Sequence, residues 1–439
     1  MKIIIAGAGH GGLVAGALLA KAGHQVELYE KNSKENLGHD WEDRFDVKLL
    51  YDFVNKEVPW EDLRKRSDST FYSPDQKTPV VVKFEDTSRP RMMWRKDILA
   101  ELFDYYYECG GKTFFGKEII SAIVEDNTIK GVFLSDGPVY SDLVIDSLGA
   151  LSAVRLNLPE QLGIETSFNY GEIFYAFRAY YRRDISAIDK LAPFETFISH
   201  LGEQGISWYD GEGSCADVLI GRINPLLDED IEYALDSFLK SDISLTKNIL
   251  HGGQRGIIPV RRPLPLFVSN GYAAVGDSAY MTTPMNGMGI ELCLYAGQIL
   301  ADTIIRNKDV SISSLWDYNR QYLIDKGGMQ ASVEILKNTL LNLLPEEVDF
   351  LFRERIITSS ELSGAGADTR LKVLIGKLFR GLKRPNTFIK VLKAVALGKK
   401  AQKYYSCFPV YSKDGSNFKK WKEGLSKFIV KVSKRSKIK

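Results

Sequence analysis

The chain opens on an apolar run with no polar alternation, Lys2-Ile3-Ile4-Ile5-Ala6. That pattern predicts a strand of a parallel sheet, buried on both faces. A helical stretch from Leu13 to Ala22 and a second strand from Gln25 to Tyr29 follow, so the start of the chain reads as a βαβ unit. Residues 118–140 look like a meander with Asp136-Gly137 as its hairpin turn. Glu172–Arg182 predicts an aromatic-rich strand, and further strands are expected over 195–200, 206–209 and 216–223, together a mostly antiparallel sheet. Tyr272–Val275 is another buried strand, with an amphipathic helix after it to about Ile305. Toward the end, Leu371, Leu374, Ile375, Leu378, Phe379 and Leu382 recur at helical spacing. Pro385 is expected to end that helix, Phe388–Leu397 to start another, and Phe418, Trp421, Leu425, Phe428 and Ile429 to mark a third.

The junctions between these elements carry the chemistry. Between the first strand and helix stands Gly7-Ala8-Gly9-His10-Gly11-Gly12, a G-x-G-x-x-G loop. Gly7 permits the tight turn, Gly9 a close backbone approach to a diphosphate, and Gly12 close packing of helix on strand. The helix N-terminus offers free N–H groups and a positive dipole end to phosphate. Glu30, closing the second strand, is placed to accept from a ribose hydroxyl. His10 and Gly11 inside the loop and Lys31 beside the acid complete this first set of candidate contacts. The loop alone leaves the choice of dinucleotide open.

A second junction narrows it. Gly276-Asp277 ends the late strand, and Pro284-Met285-Asn286-Gly287-Met288-Gly289 leads into the next helix. Here the sequence resembles the flavoprotein group that includes p-hydroxybenzoate hydroxylase, tryptophan halogenases and geranylgeranyl reductases. The resemblance implies FAD, with Asp277 on the ribityl chain and the turn of Pro284, Gly287, Met288 and Gly289 at the flavin pyrimidine edge. A helix dipole there stabilises the negative charge of reduced flavin. Arg95-Lys96-Asp97-Ile98 resembles the Arg-x-Asp-Leu helix start whose arginine lies near the cofactor, and the backbone near Ile120 would meet the adenine. Asp146-Ser147-Leu148-Gly149 with Ser152 and Arg155 resembles the group's D-A-x-G-x-x-S-x-x-R stretch. Gly205-Ile206-Ser207-Trp208 resembles a degraded form of an aromatic element of geranylgeranyl reductases, which makes Trp208 a candidate substrate contact; Tyr175 and Phe177, in the aromatic-rich strand, could line an apolar pocket or simply pack within the sheet. The cysteine that many of those enzymes carry after the first βαβ unit is missing: residues 37–43 read Leu-Gly-His-Asp-Trp-Glu-Asp, where His39, Asp40 and Asp43 could stand in as proton donors but a solvated loop is the stronger expectation. No W-x-W-x-I-P element of halogenases is present.

Bulk composition bounds the rest. With 439 residues and 44 % hydrophobic content the chain can bury a large core. No run of 18 apolar residues exists. Cys109, Cys215, Cys293 and Cys407 are scattered, arguing against a disulfide framework or zinc site. The chain begins on a core strand, so no signal peptide is expected and a reducing, cytoplasmic setting is. The net charge of +2 hides an asymmetry: residues 370–439 hold 21 Lys and Arg against 2 acids. Basic amphipathic helices with Trp and Phe suit an anionic membrane surface, here the inner one. Packing on the acidic body competes with that reading, and nucleic acid is the weakest of the three.

The expected fold is α/β: a Rossmann-like FAD domain over 1–158 and 252–330, an inserted antiparallel substrate domain over 159–251, and a helical basic region over 331–439. The expected function is reduction of carbon–carbon double bonds in an isoprenoid or other hydrophobic lipid by hydride from reduced flavin. No second nucleotide fingerprint appears, so a ferredoxin or other electron donor is implied. The alternatives are an aromatic or lipid monooxygenase and a non-catalytic, membrane-associated flavin-binding protein.

Overall fold

The computed structural model describes residues 1–65, 67–84, 89–187, 194–363 and 371–429. Its central sheet has six strands in the order Val268–Ser269, Tyr272–Ala274, Leu143–Asp146, Lys2–Ala6, Gln25–Glu30 and Lys112–Phe115. All neighbours run parallel except the short edge pair. Ile3, Ile4, Ile5, Val144 and Ile145 are wholly buried, as an unalternating apolar strand demands. The His10–Lys21, Arg95–Glu108 and Ile290–Asn307 helices accompany this sheet. The meander is the three-stranded sheet Ile119–Glu125, Thr128–Leu134, Gly137–Tyr140, and its turn falls one residue earlier than expected, at Ser135-Asp136.

A seven-stranded sheet roofs the first. Its order is Leu245–Pro259, Ile173–Arg183, Cys215–Arg222, Gly205–Glu212, Phe194–Ile198, Ser69–Tyr72 and Val80–Val82. Two of its strands thus come from within residues 1–158, and a third runs past residue 251. The roof is therefore not a simple insertion over 159–251. The parallel pairing of Ser69–Tyr72 with Phe194–Ile198 is a long-range contact that no local pattern announces. On the outer face of the roof, the Asp228–Ser241 helix lays Ile231, Ala234, Leu235 and Phe238 over Ala179, Tyr181, Val218 and Ile220. A two-stranded ribbon, Glu42–Asp46 with Pro90–Trp94, stands between the roof and the first sheet.

The C-terminal helices complete the body. Arg261 reaches Glu165 at 2.8 Å and Glu172 at 3.0 Å, while Arg262 reaches Glu334 at 2.9 Å. Lys337, its pKa drawn down to about 8 by burial, bonds the Val260 carbonyl. Pro385 does not merely end the Leu371–Gly381 helix; it stands at the first position of the next, Pro385–Tyr405, where a missing N–H costs nothing. The third basic helix, Ser416–Leu425, turns inward. Trp421 and Leu425 are buried among Phe408, Tyr404 and Tyr405, and Phe418 meets Trp316 edge-on at 5.4 Å. Its apolar face is thus spent on the protein, which corrects the membrane expectation for that helix. Arg370 and residues 430–439 of the basic tail lie outside the described residues.

Candidate functional site

Three adjacent parallel strands end at one crevice, the place where such sheets bind ligands. Gly7–Gly12 follow Lys2–Ala6, Ser147–Gly149 follow Leu143–Asp146, and Gly276-Asp277 come two residues after Tyr272–Ala274. Two helices start there with glycine N-caps, Gly9 and Gly289, that supply no side-chain acceptor. Their first-turn N–H groups are left for a ligand. The helices cross closely: a Cβ on Gly297 would stand 2.5 Å from the Gly11 carbonyl oxygen, and one on Gly11 3.0 Å from that of Cys293. Glycine at the crossing sets the two positive ends side by side.

The loop glycines are constrained by the protein itself. A Cβ on Gly9 would fall 2.2 Å from Ser147 Oγ and 2.8 Å from its carbonyl oxygen. Glu30 accepts from the Ala8 N–H at 3.0 Å and the Asn32 N–H at 2.9 Å, which fixes its carboxylate against the loop. Lys31 is exposed and Ile120 is 52 % exposed at the start of the meander. The turn from Pro284 to Gly289 is tied by Thr283, which donates to the Met288 carbonyl and accepts from the Gly287 N–H. Asp277 accepts from the Thr282 hydroxyl; burial pushes its pKa up, and Thr282 and Arg95 oppose that rise.

Arg95 is the hub. It starts its helix next to Trp94 and forks onto Asp43 at 2.6 and 2.8 Å. Its guanidinium also lies over Trp41 at 5.6 Å and donates to His39 Nδ1 at 3.0 Å. Since arginine only donates, His39 Nδ1 is bare, and the ring hydrogen sits on Nε2, facing the Arg255 carbonyl at 3.2 Å. Burial and Arg95 hold His39 at a pKa of about 4. Burial raises Asp43, but Arg95 outweighs it and the net shift is downward. Asp40 bonds the Gly252 N–H and His251, both at 3.2 Å. The proton-donor expectation for His39, Asp40 and Asp43 is therefore corrected: each is already committed, to Arg95 or to the roof.

Asp146 and Arg155 also have internal work. Asp146 accepts from Ser152 at 2.5 Å, Tyr272 at 2.8 Å, Ser278 at 2.9 Å and the Leu148 N–H at 3.1 Å. Arg155, fully buried, donates to the Ala150 and Glu165 carbonyls and to Tyr280. Together they knot the middle strand's loop to the Gly276-Asp277 turn.

The roof separates the three aromatic candidates. Pleating puts Trp208, Leu219 and Arg178 in one cross-strand row, and the Arg178 guanidinium lies 5.2 Å from the Trp208 ring. Tyr180 shares that face and its hydroxyl accepts from the Glu42 N–H at 2.9 Å. Phe177 and Tyr175 point the other way, onto the helix-covered core. Of the three, Trp208 alone shares a face with Tyr180, whose ring is 5.2 Å from that of Trp94. Sequence reasoning missed the buried pair Arg178–Asp217, at 2.8 and 2.6 Å. A charged residue inside an aromatic strand was the available signal.

The residues present fit a flavin nucleotide. His10 Nε2, in the loop, is buried with no hydrogen-bond partner among the described residues, as are the indole N–H groups of Trp41 and Trp208. Burial and then Arg95 lower His10 to a pKa of about 4, so its ring is neutral. His200, in the roof, is also held at about 4 by burial and Arg222. All three histidines have folded values below 6.5, so the unfolded chain binds more protons between pH 6.5 and 4, and stability falls as pH drops through that window. Unfolding at pH 5 is expected to take up about three protons from this source; calorimetry in buffers of different ionisation heat measures it.

A family model described as an NAD(P)-binding Rossmann-like domain matches residues 5–44. The chain is 26 % identical over 455 aligned positions to a digeranylgeranylglycerophospholipid reductase of Sulfolobus acidocaldarius, covering 98 % of each. Among solved structures it matches a geranylgeranyl bacteriochlorophyll reductase-like protein of Thermoplasma acidophilum, with TM-score 0.69, 17 % identity, and 90 % and 98 % of the two chains covered. It also matches the flavin-dependent brominase Bmp2, with TM-score 0.58, 13 % identity, and 98 % and 99 % covered. The structural likenesses establish the fold. Among the described residues no helix is long and apolar enough to cross a membrane.

Proposed function

We propose that this chain is a geranylgeranyl-reductase-like, FAD-dependent oxidoreductase, starting from its likeness over 98 % of its length to a digeranylgeranylglycerophospholipid reductase. The observation that carries the reading is the convergence of Gly7–Gly12, Gly276-Asp277 and Pro284–Gly289 with Arg95 at one crevice beneath an aromatic roof. Gly7, Gly9, His10, Gly11 and Gly12 would hold the diphosphate, Glu30 a ribose and Asp277 the ribityl chain. The backbone near Ile120 would meet the adenine. Pro284, Gly287, Met288 and Gly289 would border the ring. Reduced flavin supplies a hydride to one carbon of an alkene.

The chain does the rest. Trp208 and Trp94, both half-buried, would offer aromatic surface to an isoprenoid beside the buried Tyr180. Arg95 holds Asp43 and His39 in place, so its charge is neutralised locally while its helix start stays fixed. His39 and Asp43 are both held below their ordinary pKa values, His39 by burial and Arg95, and Asp43 by Arg95, so water rather than either of them would supply the proton for the second alkene carbon. The electron donor is a separate redox protein of low potential.

Anaerobic, dithionite-reduced protein incubated with a geranylgeranyl-chain phospholipid is expected to give products heavier by two hydrogens per reduced double bond. Oxygen-dependent hydroxylated product would instead mean a monooxygenase, which the brominase likeness keeps as the second reading. Loss of product with retention of coloured, reducible protein would mean that the substrate class is wrong.

A further inference from the structure

The Leu371–Gly381 and Pro385–Tyr405 helices form a basic hairpin whose outward side is unlike the rest of the surface. Among the described side chains of the first helix, Ile375, Leu378 and Phe379 are 44, 48 and 68 % exposed, and Leu382 just beyond it 59 %. Lys377 in the same helix is buried to 9 % exposure and paired with Glu361. This is amphipathicity turned inside out for a water-facing helix. The second helix behaves similarly. It buries Thr387, Phe388, Ala394, Gly398, Ala401 and Tyr405, and turns Ile389, Leu392 and Val395 outward, 45, 47 and 42 % exposed. Each helix thus turns a row of large apolar side chains at helical spacing toward solvent.

What covers these rows is indicated by charge. Residues 371–405 contain ten Lys and Arg and no acid. Lys377, Lys383 and Lys390 are paired with Glu361, Glu354 and Glu347 of the preceding helices. Lys393, Lys399, Lys400 and Lys403 are exposed on the outward side of the second helix, with no acidic partner among the described residues. Where the two helices join, Lys383, Arg384, Lys390 and Lys393 line a surface cavity of about 650 Å³ with Thr387, Ile389 and one carboxylate, Glu347, which already pairs with Lys390. Apolar residues flanked by unpaired cations, beside a basic recess, match an interface of acyl chains below and phosphate above. A neutral protein partner would leave those lysines facing uncompensated desolvation.

We infer that this hairpin docks the protein on an anionic phospholipid bilayer, with Ile375, Leu378, Phe379, Leu382, Ile389 and Leu392 entering the headgroup boundary and the lysines binding lipid phosphates. The inference deepens the proposed function, since a substrate with long isoprenoid chains resides in a bilayer. It moves the docking surface away from the Ser416–Leu425 helix, whose tryptophan is internal. The recess fits a phosphate headgroup at the level where the rows enter.

The test is flotation of the full-length holoprotein with vesicles of phosphatidylcholine, alone or mixed with phosphatidylglycerol. The protein is expected to float with the mixed vesicles and not with phosphatidylcholine alone. L378Q/F379Q and K393E/K400E, all at exposed positions, are each expected to weaken binding at least about tenfold. K419E/K420E, on the inward-turned helix, is expected to leave binding unchanged. Equal binding by the hairpin variants, or none by the parent protein, overturns the inference. So does a parent dimer that L378Q/F379Q converts to monomer, because that row would then be covered by a second copy. Flavin absorbance of each variant separates this result from the catalytic reading: coloured, active protein that ignores vesicles defeats only the docking, and colourless protein that docks defeats only the chemistry.

Discussion

Arg178→Met is expected to destabilise the protein by about 3–5 kcal/mol, the usual cost of stripping one partner from a buried ion pair. Arg178 and Asp217 have side chains only 7 and 8 % exposed. The guanidinium forks onto the carboxylate through Nε and Nη2 at 2.8 and 2.6 Å and donates from Nη1 to the Glu42 carbonyl at 2.6 Å. Burial alone would lower the pKa of Arg178, yet Asp217 drives it upward, so the pair is ionised in the folded state. Methionine would fill much of the volume and leave Asp217 charged and unpaired. R178M/D217L removes both charges and is expected to recover most of the loss, because an apolar replacement of a buried pair is often neutral. Denaturant unfolding of the parent, R178M, D217L and R178M/D217L gives the coupling. If R178M alone costs under about 1 kcal/mol, the pair is solvated and the roof is more open than described.

The bond to Glu42 gives this pair a second effect. It ties the roof to the ribbon whose Asp43 clamps Arg95, so R178M should also loosen the hub. The expected sign is a less securely held flavin in R178M than in R178M/D217L at equal residual stability.

The second large effect is at Gly9. Gly9→Val is expected to weaken flavin binding by about 10–100-fold, corresponding to an overpacking cost of 1–3 kcal/mol. The Ser147 hydroxyl that a Cβ would meet at 2.2 Å can rotate away, but the carbonyl at 2.8 Å belongs to a backbone bonded back to strand Lys2–Ala6. The loop must therefore move, and the helix N-terminus with it. S147G should relieve G9A in part, by removing the movable half of the clash. Fluorescence recovery of released flavin on dilution measures all four proteins. Unchanged retention in G9V would mean that the loop is not what holds the nucleotide.

Much of this site can be read along the chain, because its parts are local. A strand, a glycine loop and a helix in sequence need no distant partner to be recognised, and Arg95 opening its helix after Trp94 is equally local. Gly276-Asp277 and the turn to Gly289 follow from the same logic at the other end. What stayed hidden depends on pairing between distant segments. Ser69–Tyr72 joins the roof only because Phe194–Ile198 lies beside it. The commitments of His39 and Asp40 involve Arg95, Arg255 and the Gly252 backbone, across up to 216 positions. Tyr175 and Phe177 were visible as aromatics, but their facing is set by cross-strand register. In the tail, periodicity reveals a helix with an apolar face and is silent about what that face meets. Trp421 meets Phe408 and Tyr405, whereas Phe379 meets solvent.

The central claim is that one flavin nucleotide lies where the Gly9- and Gly289-capped helices begin. Its most direct measurement is the visible spectrum and acid-released cofactor of the purified protein, after incubation with FAD and removal of the excess. The account predicts flavin bands and close to one FAD per chain in the parent, with little in G9V. A folded parent protein that stays colourless under those conditions would contradict it.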